Sequence, residues 1–388
     1  MPETVLAATL HGPYDLRIER YPYPTSVEPG AVLLRMLASG ICGTDKHTYR
    51  GETEQYSGTD HAKTTPFPII QGHENVGEIV EMGEGGATAF DGTPLAVGDR
   101  IVPAPNRHCG ECGYCTGDFP YYMCRHIESY GNSLTSAEPP HLFGGHAEYQ
   151  YILPGTPMFK GPADLPTNIA VLTEVYAVTH SLDMVAAMSR PGGFRAGDTV
   201  AIYGLGPVGA VHAGTARIMG SSRVIAIDQH EGRLALARDL GATDTVLAGN
   251  DPAEVCAAVL DLVGDGIDVS VDASGHPSTF APAMDVLRDG GTLIEVGAFV
   301  DLGPVDVNPS VIVARNLAIV GVGGEDARGY DRTMRMLADH QHEIAFHRAV
   351  THTFPVERAV EAMETAQAAG DAMKAVSYTH LRAHETIH

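Results

Sequence analysis

The chain has no tryptophan, only six cysteines and about half as many basic as acidic residues, and two of these scarcities narrow what it can do. With 25 Lys and Arg against 48 Asp and Glu, the formal charge of -23 has the wrong sign for a partner made of phosphates. No nucleic acid and no membrane surface is expected as a partner. No apolar run approaches the length of a membrane span, and the N-terminus lacks a basic segment followed by an apolar one, so the expected location is cytoplasmic. Four of the six cysteines fall between Cys109 and Cys124, too clustered for a disulfide framework in a chain of 388 residues, and this pattern points to metal. Cys256 stands apart in an alanine-rich helical pattern at 253–262, where a buried structural thiol is expected.

The remaining composition, 44% hydrophobic and 19% charged, suits two soluble domains with separate cores. From Val5 to about Val102, short apolar runs at 31–37, 77–81 and 98–102 alternate with Gly and Pro, which predicts a mainly β, barrel-like region. Residues 50–68 are polar and read as a loop, and 106–125 as a Gly- and Cys-rich lobe with little regular structure. Beyond Pro166 the texture changes. Near-continuous apolar strands at 199–203, 223–228, 267–271, 291–296 and 317–322 alternate with helices, the pattern of an α/β domain whose parallel sheet is covered on both faces. Residues 377–388 bear no relation in pattern to what precedes them. They resemble a translated sequencing adapter and are set aside, with their three histidines, as a non-native tail.

Gly204-Leu205-Gly206-Pro207-Val208-Gly209 follows the strand at 199–203 and opens a helix. There the glycines permit a tight turn, close approach of a pyrophosphate and close packing of helix on strand. Asp228 ends the next strand nineteen residues after Gly209, where a carboxylate accepts both ribose hydroxyls and repels a 2′-phosphate. The expectation is a doubly wound Rossmann domain binding NAD in preference to NADP. Arg233 and Arg223 are the residues able to turn toward a phosphate, or else solvated surface charges, and Val178 is a further cofactor contact candidate.

Cys109, Cys112 and Cys115 are spaced by two residues, and Cys124 follows after eight more, a spacing that lets four thiolates close on one zinc. A redox thiol cluster is the alternative. A second constellation is dispersed. Ser39-Gly-Ile-Cys-Gly-Thr-Asp-Lys-His47 places Cys42, Thr44, Asp45 and His47 close along the chain, while His73, Glu74 and an isolated Glu174 offer an imidazole and two carboxylates from afar. Three protein ligands with a replaceable fourth position are what a catalytic zinc needs, although a lone His-Glu pair or a helix-capping Glu174 is equally compatible with spacing alone.

In order, Gly40-Ile-Cys-Gly-Thr-Asp-x-His47, Gly72-His-Glu74, Gly98-Asp-Arg-Ile101, the four-cysteine lobe, Gly145-x-Ala-Glu-Tyr149 and Gly204 to Gly209 resemble the zinc-containing medium-chain alcohol dehydrogenase family, in its polyol and threonine dehydrogenase branch. The resemblance implies a GroES-like catalytic domain at 1–178 with the zinc lobe at 106–125, a Rossmann domain at 179–322, and a return to the catalytic domain at 323–376. It implies a catalytic zinc on Cys42, His73 and Glu174, with Glu74 a fourth ligand in the absence of substrate or water, and a structural zinc in the lobe. Asp45 would orient the His73 ring, Thr44 would take the substrate proton and His47 would pass it to solvent. The substrate would be a secondary alcohol, polyol or amino alcohol, and the protein a homodimer or homotetramer. Val175-Tyr176 after Glu174, where the branch has Pro-Leu, implies an altered wall beside the nicotinamide. A zinc-free quinone reductase would lack the cysteine lobe and the Cys42-His73 pair, and a non-catalytic NAD-binding protein would not need Thr44 and His47.

Overall fold

The computed structural model describes residues 2–378 apart from Asp60, His61, Asp118, Arg190, Phe299, Ala369, Asp371 and Ala372. The chain divides into two compact units, one built from Met1–Glu174, Asp326–Asp339 and the chain from Val350 onward, the other from Val175–Glu325 and His340–Ala349. The last of these segments was expected with the first unit. It joins the second because Phe346 packs edge-on against Tyr176 at 5.3 Å and the Ala345 N–H donates to the Asp239 carbonyl at 3.2 Å.

The first unit is mainly β. A seven-stranded sheet runs Met158–Phe159, Arg100–Pro103, Glu74–Met82, Val32–Gly40, Lys374–Tyr378 and Val350–Pro355, with Tyr149–Ile152 also paired to Val32–Gly40. Val32–Gly40 is buried along most of its length, so it carries apolar residues on both faces rather than alternating. Leu33, Leu34, Met36, Val5 and Ile79 form the core around it. Register at its far end matters most for function. Gly40 pairs with Glu74 on one side and with Val376 on the other, so the segments carrying Cys42, His73, Glu74 and Lys374 end together.

Two expectations for this unit are revised. Within 50–68, Glu54–Gln55 and Lys63–Thr64 pair antiparallel as a short hairpin, so the polar stretch is not a bare loop. Ser377 and Tyr378, set aside with the tail, extend the strand Lys374–Tyr378 and pair with Phe354 and Pro355, because the ladder offers backbone partners whatever the side chains are. Residues 379–388 lie outside the described residues.

The second unit holds a six-stranded parallel sheet in the order Asp244–Leu247, Arg223–Asp228, Thr199–Tyr203, Ile267–Asp272, Leu287–Glu295, Ala318–Gly321. Numbered along the chain this is 3-2-1-4-5-6, the doubly wound order whose switch point lies beside the first strand. Helices Pro207–Ile218 and Pro252–Val263 are among those that cover its faces. No helix among the described residues is long and apolar enough to cross a membrane.

Candidate active site

Cys42 stands at the start of the helix Gly43–Arg50 with extended backbone angles, and Gly51 stops that helix in a left-handed conformation, φ +91°. Asp45 in the first turn accepts the Cys42 backbone N–H on Oδ2 at 2.8 Å, a placement that also suits the positive end of the helix. Its other oxygen accepts the Gly72 N–H at 3.4 Å, and its carbonyl accepts Gln71 Nε2 at 3.1 Å. Fully buried, Asp45 thus ties the segment carrying His73 to the helix that begins at Cys42. His73 Nδ1 lies 3.8 Å from Asp45 Oδ1, an ionic contact longer than a hydrogen bond.

One ligand atom each from Cys42, His73 and Glu74 lies within 4.8 Å of the others. Sulfur, imidazole and carboxylate at that separation form a donor set that fits zinc. Glu174, in the helix Thr173–Ala177 and 7% exposed, does not belong to that tight group, although its charge acts on His73. Burial disfavours the charged His73 ring, but Asp45, Cys42 and Glu174 outweigh it and push its pKa well above the usual value, the mark of a field suited to a cation.

Thr44 and His47 lie on the same helix as Asp45, both partly exposed. His47 Nδ1 pairs with Glu52 and is 3.0 Å from Arg50 Nη2. Burial lowers the His47 pKa and the Glu52 bond opposes that shift. Glu52 is held at about 2, chiefly by its bond from Arg50. Neither Arg50 nor Glu52 stood out in the sequence, since both lie in the polar stretch read as a loop. Lys374 was missed too. It is 1% exposed and paired with Glu74, and its only signal was one cation in an otherwise apolar run.

The four lobe sulfurs form a compact cluster. Cys109 lies 3.8 Å from Cys115 and 3.6 Å from Cys124, and Cys112 lies 3.5 Å from Cys115 and 4.0 Å from Cys124, with no disulfide. Four thiolates at about 2.3 Å from one zinc stand roughly 3.8 Å apart on a tetrahedron, so the cluster fits that ion despite the eight-residue gap.

In the second unit, Gly204 takes φ +83°, and a Cβ there would meet Ser274 Cα at 2.6 Å. Gly206 caps the helix Pro207–Ile218 and has open space where a Cβ would point, as close approach of a pyrophosphate requires. Gly209 packs directly over the Gly204 carbonyl, while Leu205 and Val208 continue the turn into the helix. Leu205 N–H and His230 N–H donate to the two oxygens of Asp228, at 2.7 and 2.9 Å. Arg233 Nη1 lies 3.8 Å from Asp228. Arg223 instead faces Asp244 at 3.5 Å. Val178 sits in the turn before the helix His180–Ala187. Tyr176, expected to reshape a pocket wall, is fully buried in this unit's core against Phe346 and Gly214.

Residues 28–162 match the family model described as an alcohol dehydrogenase GroES-like domain, and 207–339 match that of a zinc-binding dehydrogenase. An erythritol/L-threitol dehydrogenase of Mycolicibacterium smegmatis is 30% identical over 301 residues, 77% of this chain and 78% of its own length. An L-threonine 3-dehydrogenase of Anaeromyxobacter sp. (strain K) is 30% identical over 332 residues, 84% and 85% of the two chains. The chain belongs to the zinc-type medium-chain alcohol dehydrogenase family. The crystal structure of an alcohol dehydrogenase from Thermotoga maritima is similar at a TM-score of 0.86 and 27% identity, covering 97% of this chain and 99% of that one. Membership makes the protein an oxidoreductase acting on CH–OH groups of a small molecule with a nicotinamide cofactor.

Proposed function

We propose that the protein interconverts a secondary alcohol or polyol and its ketone, with NAD as hydride carrier, one zinc in the active site and a second in the cysteine lobe. The convergence of Cys42, His73 and Glu74 within 4.8 Å carries this reading. Cys42 and His73 would hold the metal, with Glu174, which lies outside the tight group but whose charge acts on His73, as third ligand and Glu74 as a fourth in the absence of substrate or water. Bound there, zinc supplies a Lewis acid for the substrate hydroxyl, and the nicotinamide is the hydride acceptor. Asp45 holds Cys42 and the His73 segment in place through its two backbone bonds. Thr44 accepts the hydroxyl proton while passing its own to His47, which releases it to solvent; Glu52 fixes the imidazole by accepting the Nδ1–H, and Arg50 donates to the Glu52 carboxylate in turn.

Gly204 to Gly209 take the pyrophosphate, Arg233 and Val178 flank the cofactor, and Asp228 favours NAD through the adenosine ribose. A homodimer or homotetramer in the cytoplasm belongs to the same reading. The edge strand Ala318–Gly321 supports an oligomer, since Ile319 there is 40% exposed and Val313 just before it 77%.

Metal analysis combined with NAD reduction over a panel of secondary alcohols, polyols and L-threonine tests the proposal. Two zinc ions per chain and turnover of a polyol or secondary alcohol are expected. A strong preference for L-threonine moves the assignment to an amino-alcohol dehydrogenase, and a chain with lobe zinc alone and no turnover sinks it.

A further inference from the structure

Lys374 is an ammonium group in an unusual place. It is 1% exposed, its partner Glu74 is 0% exposed, and the charges of Cys42 and Glu174 also act on it. Two strands deliver the pair. Gly40 is bonded to Glu74 in one ladder and to Val376 in the other, and Lys374 begins the second strand. The pair crosses over Gly40, where a Cβ would run into the Glu74 carboxylate and meet Lys374 Cε at 2.8 Å. Any residue larger than glycine would push the two apart. A buried ion pair seldom adds net stability, because removing both charges from water costs as much as their attraction returns. Its placement among metal-binding side chains therefore calls for a functional account.

We propose that Lys374 is a positioning residue that holds Glu74 out of the active-site metal's shell, keeping the fourth coordination position open for substrate. The inference rests on the zinc assignment above. Glu74 is within reach of the metal position, since its oxygen shares the 4.8 Å cluster with Cys42 and His73. With Cys42, Glu74 and Glu174 each carrying one negative charge, zinc and Lys374 together balance them. Without Lys374, Glu74 becomes a buried carboxylate whose nearest cation is the metal. It then coordinates, and four protein ligands close the site in the manner of a structural zinc. Lys374 accordingly competes with the metal for Glu74.

The test uses the full-length protein with Lys374→Met, Lys374→Arg and the double variant Glu74→Gln/Lys374→Met, each loaded with zinc or with cobalt(II). Lys374→Met is expected to keep both metals, to release the active-site metal to a chelator at least tenfold more slowly, and to lose at least a hundredfold in kcat. Added imidazole, which needs an open position, is expected to change the cobalt absorption of the wild type but not of Lys374→Met. The double variant carries no unpaired buried charge, so it folds even where Lys374→Met does not. It is expected to regain the imidazole response and at least tenfold in kcat over the single variant, and Lys374→Arg to resemble the wild type. Unchanged imidazole response and turnover in Lys374→Met overturn the proposal, as does a double variant that holds both metals yet stays closed to imidazole. A wild-type chain that binds only the lobe metal instead overturns the zinc assignment itself, a result visible before any variant is made.

Discussion

Asp45 accepts the backbone N–H of Cys42 at 2.8 Å, so the residue that starts the helix and the carboxylate one turn in are locked together. Because the other Asp45 oxygen accepts the Gly72 N–H, one buried side chain sets the separation of Cys42 from His73. Asp45→Asn keeps an acceptor for Cys42 but turns an N–H toward Gly72 or the His73 ring. Active-site zinc affinity should fall roughly 10- to 100-fold, the usual effect of losing such a supporting partner. Competition with a chelator measures this. Unchanged affinity would show that Asp45 acts only as a helix cap.

Asp228 already accepts two backbone N–H groups, which fixes its carboxylate at the end of its strand. A 2′-phosphate brought there would meet that negative charge, and Arg233 beside it is the cation left to respond. Asp228→Ser removes the repulsion while Arg233 remains. The ratio of kcat/KM for NADP over NAD should rise about tenfold or more, equivalent to ~1.4 kcal/mol. A ratio that stays constant would mean the adenosine ribose lies elsewhere.

The lobe allows a cleaner separation of roles. Backbone N–H groups of Cys115 and then Arg125 lower the Cys112 pKa, which favours the thiolate that metal binding needs. Cys112→Ser should release one zinc and lower the melting temperature by several degrees. The active-site metal and NAD affinity should remain. Loss of both metals together would join the lobe and the active site into one folding unit.

The legible parts of the molecule were those whose chemistry is local in sequence. Gly204 to Gly209, Asp228 and the four lobe cysteines lie within short spans whose spacing maps onto one turn, one strand end or one tetrahedron. Cys42 and His73 are thirty-one residues apart and depend on the register of two strands, so only the ordered set of motifs made them visible. Lys374 and Tyr176 show where such reading stops. Lys374 reaches Glu74 because its strand pairs beside Gly40, a non-local event that no spacing reports. Tyr176 lies two residues after Glu174 yet turns into the other unit's core. Glu52 was hidden because a five-residue return from His47 looks like any polar loop until its carboxylate is seen on the ring.

In the proposed relay His47 is the base, and opposing neighbours set its working range. Burial lowers its pKa, Glu52 raises it and Arg50 lowers it. Glu52→Gln removes a group that favours the protonated ring, so the pKa should drop further and the acid limb of kcat/KM for alcohol oxidation should move to lower pH. His47→Asn should slow oxidation roughly a hundredfold, within the range for losing a general base, with NAD affinity unchanged. An acid limb that moves upward in Glu52→Gln would show that another group titrates.

Stability of the second unit should carry its own pH signature through His212. This ring is fully buried in the helix Pro207–Ile218, donates from Nδ1 to the Val208 carbonyl at 2.6 Å and accepts the Ser181 hydroxyl on Nε2 at 2.9 Å. Burial pushes its pKa down to about 4. The folded ring therefore stays neutral between about 6.5 and about 4 while the unfolded ring binds a proton, so unfolding is favoured as pH falls through that window. The full effect is about 3 kcal/mol, complete near pH 4 and absent above neutrality. His212→Gln can still donate to Val208 but has no proton to gain. Denaturant midpoints followed from pH 7.5 to 4.5 should fall less steeply in the variant than in the wild type. Parallel curves for the two proteins would mean that His212 takes up its proton without leaving the fold.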